Sequence, residues 1–246
     1  MILELDVGNS RIKWRQIAEA DARLIACGDV PGFVELLDVA ELSRKPVMVR
    51  MCSVRGGEVN EQLGQWVEDK YGLELQHAVV SSSCGGVSNQ YADPGRLGID
   101  RWLAMLAAFN KARGSCVIID AGTALTVDVI SVTGQHIGGY IVPGLSLMRD
   151  SLTANTRIRL SEAGSPASLS LGHSTDAAVF NGTLVTLLAL IERVSQSILS
   201  EDPQTKVYFT GGDADLLHSL SAIDSSERVP GLVFDGLAVA CPYVYS

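Results

Sequence analysis

The sequence predicts an α/β protein whose two halves follow one plan. Three observations lead there. One phrase occurs twice: Leu5-Asp6-Val7-Gly8-Asn9-Ser10, flanked by Met1-Ile2-Leu3 and Ile12-Lys13-Trp14, and Ile119-Asp120-Ala121-Gly122-Thr123-Ala124, flanked by Cys116-Val117-Ile118 and Thr126-Val127. Each copy reads as a strand, an Asp-x-Gly turn with small residues, and a second strand. Strand-like and helix-like segments then alternate along the chain, the pattern of α/β layers. Finally, a boundary falls near Gly114 with no linker or low-complexity stretch to mark it. Halves 1–114 and 115–246 are therefore expected to share a packed interface with a cleft.

In order, residues 1–17 read as a hairpin. Residues 33–43 are expected to be helical through Leu36, Leu37, Val39 and Leu42, and 58–71 through Leu63, Trp66, Val67 and Tyr71. Between them, 46–54 is β-like and ends at Gly56-Gly57. Residues 73–80 read as a strand and 81–86 as a loop. Arg101–Arg113 is a helix with an apolar face of Trp102, Leu103, Leu106 and Ala107, ended by Gly114. The second hairpin starts at Cys116. A strand over 138–144 leads to a helix starting at Leu145 and reaching Leu152, and 155–171 reads as irregular. Ser174–Ser200 is a long helix with Ser174 or Thr175 as N-cap and Asp176 in its first turn. A strand at 206–210 precedes a helix at 214–221, and 232–240 is a final apolar helix.

A chain of 246 residues accommodates one large domain or two of roughly 100–150 residues. Hydrophobic residues are 47% and charged residues 19%, enough for a core and against disorder. The net charge of −9 and the lack of a Lys/Arg block argue against a nucleic-acid partner. The five cysteines have no C-x-x-C spacing, which fits free thiols in a reducing cytoplasm. The four histidines lie far apart, so a zinc site is not expected. No apolar run is expected to approach the ~20 residues a membrane helix needs, and the N-terminus shows no basic segment or cleavage site of a signal peptide.

The hairpins suggest ATP-dependent phosphoryl transfer. Glycine allows a tight turn and close approach of a ligand, and backbone N–H groups in such turns form anion sites. Asn9, Ser10 and Thr123 add donors suited to phosphate oxygens, whereas Asp6 and Asp120 suit the cations that accompany phosphates. One such turn is an ordinary hairpin; two, each between apolar strands, favour the phosphate reading. Asp100-Arg101 stands at a helix start. Arg101 suits a substrate carboxylate, and Asp100 suits the proton of an attacking hydroxyl, kept ionised by the helix dipole. Asp100 is equally an ordinary N-cap. Thr210-Gly211-Gly212-Asp213 is either a nucleotide platform or a plain strand-to-helix connection. Tyr91 reads by default as a surface tyrosine and Thr175 as a helix cap.

The ordered set Asp6-Val7-Gly8-Asn9-Ser10-Arg11-Ile12-Lys13, Gly98-Ile99-Asp100-Arg101, Asp120-Ala121-Gly122-Thr123-Ala124, Gly138-Gly139-Tyr140-Ile141-Val142-Pro143-Gly144 and Gly211-Gly212-Asp213 resembles type III pantothenate kinase over essentially the whole chain. The resemblance implies two ribonuclease-H-like (actin-like ATPase) domains related by duplication, and phosphorylation of pantothenate by ATP in coenzyme A synthesis. It implies that Asp6, Val7, Gly8, Asn9, Ser10, Arg11, Ile12 and Lys13 form the first phosphate loop, with Asp6 near Mg²⁺. Thr123, Gly211 and Gly212 would contact the nucleotide, and Asp120 would hold a monovalent cation, K⁺ or NH₄⁺. Asp100 would be the general base, with Tyr91, Gly98, Ile99, Asp100 and Arg101 around pantothenate. Thr175 would reach pantothenate from a partner subunit, implying a homodimer. Another sugar or acid kinase of the same superfamily and a non-catalytic nucleotide-binding regulator are the alternatives. The short chain disfavours the first, and the missing basic stripe disfavours a DNA-binding form of the second.

Overall fold

The computed structural model describes residues 1–39, 45–161 and 164–244. They fall into two compact units, Met1–Asn110 with Gly231–Ser246, and Lys111–Pro230.

The first unit contains β1 (Ile2–Val7), β2 (Ile12–Ile17), β3 (Leu24–Val30), α1 (Phe33–Val39), β4 (Met48–Ser53), α2 (Gly57–Tyr71), β5 (Leu75–His77), β6 (Ser83–Cys84), β7 (Val87–Ser88) and α3 (Ile99–Ala112). Its five-stranded sheet runs β3-β2-β1-β4-β5. The first three strands pair antiparallel, and β4 and β5 continue parallel to β1. Odd-numbered residues of β1 (Leu3, Leu5, Val7) enter a core with Val49, Met51, Leu63 and Val67. The period of two puts Glu4 and Asp6 on the opposite face. Helix α2 buries Leu63, Val67 and Tyr71, spaced by four, and ends at Gly72 in the left-handed conformation.

The second unit contains β8 (Cys116–Ala121), β9 (Ala124–Ile130), β10 (His136–Pro143), α4 (Leu145–Asn155), α5 (Thr175–Glu201), β11 (Lys206–Thr210), α6 (Ala214–Leu220) and β12 (Ser226–Arg228). Its sheet runs β10-β9-β8-β11-β12, with the same pairing senses as the first. The repeated order and directions confirm the α/β fold of two duplicated ribonuclease-H-like domains. Here Val117, Ile119, Ala121, Val127, Val207 and Phe209 pack with Leu184, Leu187, Leu188 and Ile191 of α5.

The last helix, α7 (Leu232–Ala240), lies in the first unit and packs on β1 and β4. The expected division at Gly114 keeps it with the second half instead. Three contacts hold it. Arg15 donates to Asp235 (2.7 Å), Arg50 donates to the Cys241 carbonyl (2.7 Å), and Gly236 lets the helix lie directly on α3. A Cβ at Gly236 would come within 2.1 Å of the Leu103 carbonyl oxygen.

Other differences are local. Strands β3 and β12 add to the expected elements, and the expected strand at 73–80 shortens to Leu75–His77. The expected loop 81–86 holds the start of the β6–β7 hairpin, turned by Gly85 and Gly86 at φ 55° and 83°, a glycine-pair turn with both φ positive. Leu42, expected in the first helix, lies outside the described residues. Helix α5 corrects the expectation about membrane helices, being long and apolar enough by length and composition to cross a bilayer. No uninterrupted apolar run reveals it, because Asn181, Glu192 and Arg193 punctuate it; seven of its residues, including Leu184, Leu187 and Ile191, are buried against the rest of the fold.

Candidate functional site

In the first unit the site gathers where β1 and β4 end. Asp6 pairs in register with Lys13 on β2 and Cys52 on β4, so the three side chains share a face. Asp100, in the first turn of α3, lies close enough to raise the Asp6 pKa. Burial, which outweighs the opposing pull of Lys13, together with the nearby Asp100 carboxylate and against a hydrogen bond with Cys52, leaves the Asp6 carboxyl raised from 3.8 to about 6. Burial, then Asp6 and Asp100, hold the Cys52 thiol well above its usual range. Between β1 and β2, Gly8 N–H donates to the Arg11 carbonyl (3.0 Å), and Arg55 donates to the Asn9 carbonyl (2.5 Å).

The approach to α3 is built by short polar turns. Asp93 caps a 3₁₀ turn at Pro94–Arg96 by accepting from Gly95 N–H (3.1 Å), and Asn89 accepts from Tyr91 N–H (3.0 Å). Tyr91 is thereby set so that its hydroxyl accepts from Arg101 Nη1 at 2.9 Å, with the guanidinium 5.9 Å from the ring centroid. Arg101 is only 6% exposed. Gly98, not Asp100, holds the cap position, because the Gly98 carbonyl accepts Trp102 N–H (3.0 Å). A Cβ at Gly98 would lie 2.7 Å from Asp100 Oδ1, so glycine here keeps the carboxylate in place. The structure thus brings Asp6, Lys13, Tyr91, Gly98, Ile99, Asp100 and Arg101 into one unit. Sequence reading missed Cys52 and Arg55, since neither belongs to a motif.

In the second unit the Asp120–Thr123 turn meets two glycine loops. Gly144 N–H donates to the Thr123 carbonyl (2.9 Å), and Asp213 N–H donates to the Ala121 carbonyl (2.9 Å). Cβ atoms at Gly144 and Gly211 would come within 2.3 Å of the Gly122 oxygen and 2.5 Å of Ala121. Gly211 has φ +95°, and its added Cβ would also stand 2.6 Å from Asp120 Oδ1. Asp120, Thr123, Gly211 and Gly212 therefore cluster. A missed neighbour is Arg149 on α4, which stacks 4.0 Å from the Phe180 ring and opposes the rise that burial gives Asp213. Thr175 is exposed at the first position of α5 and away from this cluster's hydrogen bonds; Ser174 caps the helix by accepting from Ala177 N–H (3.1 Å). The cap reading of Thr175 therefore passes to Ser174.

Among the described residues no group of three or more His, Cys, Asp or Glu side chains is gathered for a metal. A magnesium ion carried by nucleotide phosphates needs only one or two carboxylates. A buried carboxyl with a second carboxylate nearby suits such an ion, whose charge would offset the cost of burying them ionised.

A sequence model of type III pantothenate kinase matches residues 2–197. Type III pantothenate kinase from Ectopseudomonas mendocina (strain ymp) is 42% identical over 98% of this chain and 99% of its own. The enzyme of that name from Pseudomonas fluorescens (strain SBW25) is 41% identical over the same shares. Among solved structures, a Baf-family protein from Campylobacter jejuni superposes with a TM-score of 0.61 at 22% identity, covering 96% of this chain and 94% of its own. The ethanolamine utilization protein EutJ from Carboxydothermus hydrogenoformans gives 0.51 at 14% identity, covering 97% and 89%. Both share the fold.

Proposed function

This chain belongs to the type III pantothenate kinase family, and we propose that it transfers the γ-phosphoryl group of ATP to the 4′-hydroxyl of pantothenate, the first step of coenzyme A synthesis. The observation that carries the reading is the meeting, within one unit, of Asp6 on β1 with Asp100 at the head of α3, beside the Arg101–Tyr91 pair.

In the first unit, Asp6 through Lys13 receive the phosphates, with Asp6 on the side of Mg²⁺. Mg²⁺, bound with ATP, neutralises charge on the transferred group. Asp100 accepts the proton of the attacking hydroxyl, and the Gly98 vacancy keeps its carboxylate oriented. Arg101, buried and braced by Tyr91, holds pantothenate through directed hydrogen bonds. In the second unit, Thr123, Gly211 and Gly212 contact the nucleotide, and Asp120 takes the monovalent cation, K⁺ or NH₄⁺. Thr175, exposed and released from capping, reaches pantothenate bound to a partner subunit, which makes the enzyme a homodimer. Five free cysteines favour a reducing, cytoplasmic setting.

The test is a coupled assay of ADP release with pantothenate and MgATP, in K⁺ and in Na⁺ buffer, on wild type and Asp100→Asn. Expected are pantothenate-dependent turnover that collapses in Na⁺ and a fall in kcat of about 10³-fold in the variant. Near-wild-type turnover by Asp100→Asn would overturn the base assignment.

A further inference from the structure

We propose that Arg55 is a positioning residue for phosphate binding: by holding the Asn9 carbonyl, it fixes the Asn9–Ser10 peptide with the Ser10 N–H turned toward the bound polyphosphate. This rests on the reading of Asp6–Lys13 as a phosphate loop.

The placement starts in the sheet. Val54 N–H donates to the Val7 carbonyl (3.1 Å), tying the end of β4 to the end of β1 just before the turn. Arg55 N–H then donates to Ser53 Oγ (3.3 Å), which bends the chain and aims Arg55 at the hairpin tip. Arg55 Nη2 reaches the Asn9 carbonyl at 2.5 Å. In a planar trans peptide, C=O and the following N–H point in opposite directions. Holding the Asn9 oxygen against the guanidinium therefore turns the Ser10 N–H the other way. Among the described residues, no protein acceptor takes that N–H.

The electrostatics make orientation matter. An N–H facing a polyphosphate attracts it, whereas a carbonyl in the same place repels it. At the tip of an unassisted hairpin the peptide can rotate and present either group. A charge-assisted bond to its oxygen selects one orientation before the ligand arrives, so none of the binding energy goes to reordering the loop. Lys13, opposite Asp6 on β2, supplies positive charge on that face. The two cations thus have separable roles: one supplies charge, the other orients a backbone donor.

The experiment compares wild type, Arg55→Met and Arg55→Lys by steady-state kinetics, and by calorimetric titration with MgATP, magnesium tripolyphosphate and adenosine. Arg55→Met is expected to weaken ATP and tripolyphosphate about tenfold while adenosine binding and the KM for pantothenate stay within about twofold. Arg55→Lys, which keeps a donor able to reach a carbonyl, should weaken tripolyphosphate about threefold. Where Arg55→Met does not fold, that threefold loss with adenosine unchanged carries the test. Equal weakening of adenosine and tripolyphosphate would mean a merely structural role and overturn the proposal. So would tripolyphosphate binding that neither variant changes. A wild type that binds neither ATP nor tripolyphosphate would remove the phosphate-loop reading and this proposal together. A wild type that binds both but turns over no pantothenate would remove only the acceptor assignment, and the titrations would still decide the role of Arg55.

Discussion

On the face of the first sheet that carries Asp6, three rows cross β2, β1 and β4: Ile17-Ile2-Met48, Arg15-Glu4-Arg50 and Lys13-Asp6-Cys52. The corresponding rows of the second sheet are Ile130-Cys116-Lys206, Asp128-Ile118-Tyr208 and Thr126-Asp120-Thr210. The upper row keeps an aspartate at its centre in both. The middle rows differ in kind. In the first sheet Glu4, fully buried, accepts Arg50 through Nε (3.0 Å) and Nη2 (2.6 Å) and also pairs with Arg15. In the second, an isoleucine takes the centre, and the buried Asp128 bonds His136 Nε2 at 2.9 Å. The turns above these rows differ too. The Gly8 turn is braced by the Arg55 side chain, while Gly144 and Gly211 let backbone press on backbone around the Asp120 turn. The duplicated fold repeats register and turn position; what stabilises each copy is set by local side chains.

Breaking the charged middle row should have the largest effect. Arg50→Met leaves part of a buried carboxylate without its partner, and a loss of about 3–4 kcal/mol is expected by denaturant titration. Tyr208→Phe, its positional counterpart, should cost below about 1 kcal/mol. Equal losses would show that the two middle rows are energetically alike.

Gly211→Ala combines a left-handed φ with a backbone clash, and about 2–3 kcal/mol is expected to be lost. Gly8→Ala, whose Cβ would meet only the Arg11 oxygen at 3.3 Å, should cost below about 1 kcal/mol. A Gly8 variant as damaged as the Gly211 variant would end the contrast between the two turns.

A third stability effect has the opposite sign. Because the folded state raises Asp6 from 3.8 to about 6, it binds that proton more tightly than the unfolded chain. The ligand-free protein therefore loses stability as pH rises through about 4 to 6, and keeps that loss above. Asp6→Asn should gain about 1–2 kcal/mol at pH 8, gain nothing at pH 4, and abolish turnover. A Tm difference independent of pH would show that the ionised carboxylate is not the cause.

Much of this was legible from residue order. The two Asp-x-Gly hairpins were visible because apolar strands and small turn residues are neighbours in sequence. Helices α2 and α3 showed apolar faces through spacing by three and four, and α5 showed its start through a capping residue. The Ser174 cap was one of two candidates, and its hydroxyl bond to Ala177 N–H settled the choice. Strand β3 was invisible because its residues are mostly exposed and lack an alternating apolar pattern.

Local chemistry, then, sufficed for the α/β plan, the repeated turns and the motif residues, since propensity, periodicity and capping act within a few residues. Tertiary structure alone decided that Cys52 touches Asp6, that Arg55 reaches Asn9, and that α7 returns to the first sheet. The Asn9–Arg55 contact spans 46 residues. It depends on how parallel β4 registers against β1, and that register is chosen by burial on both faces of the sheet. The return of α7 depends on a glycine at 236 meeting the backbone at Leu103, a fit that exists only once both helices are packed.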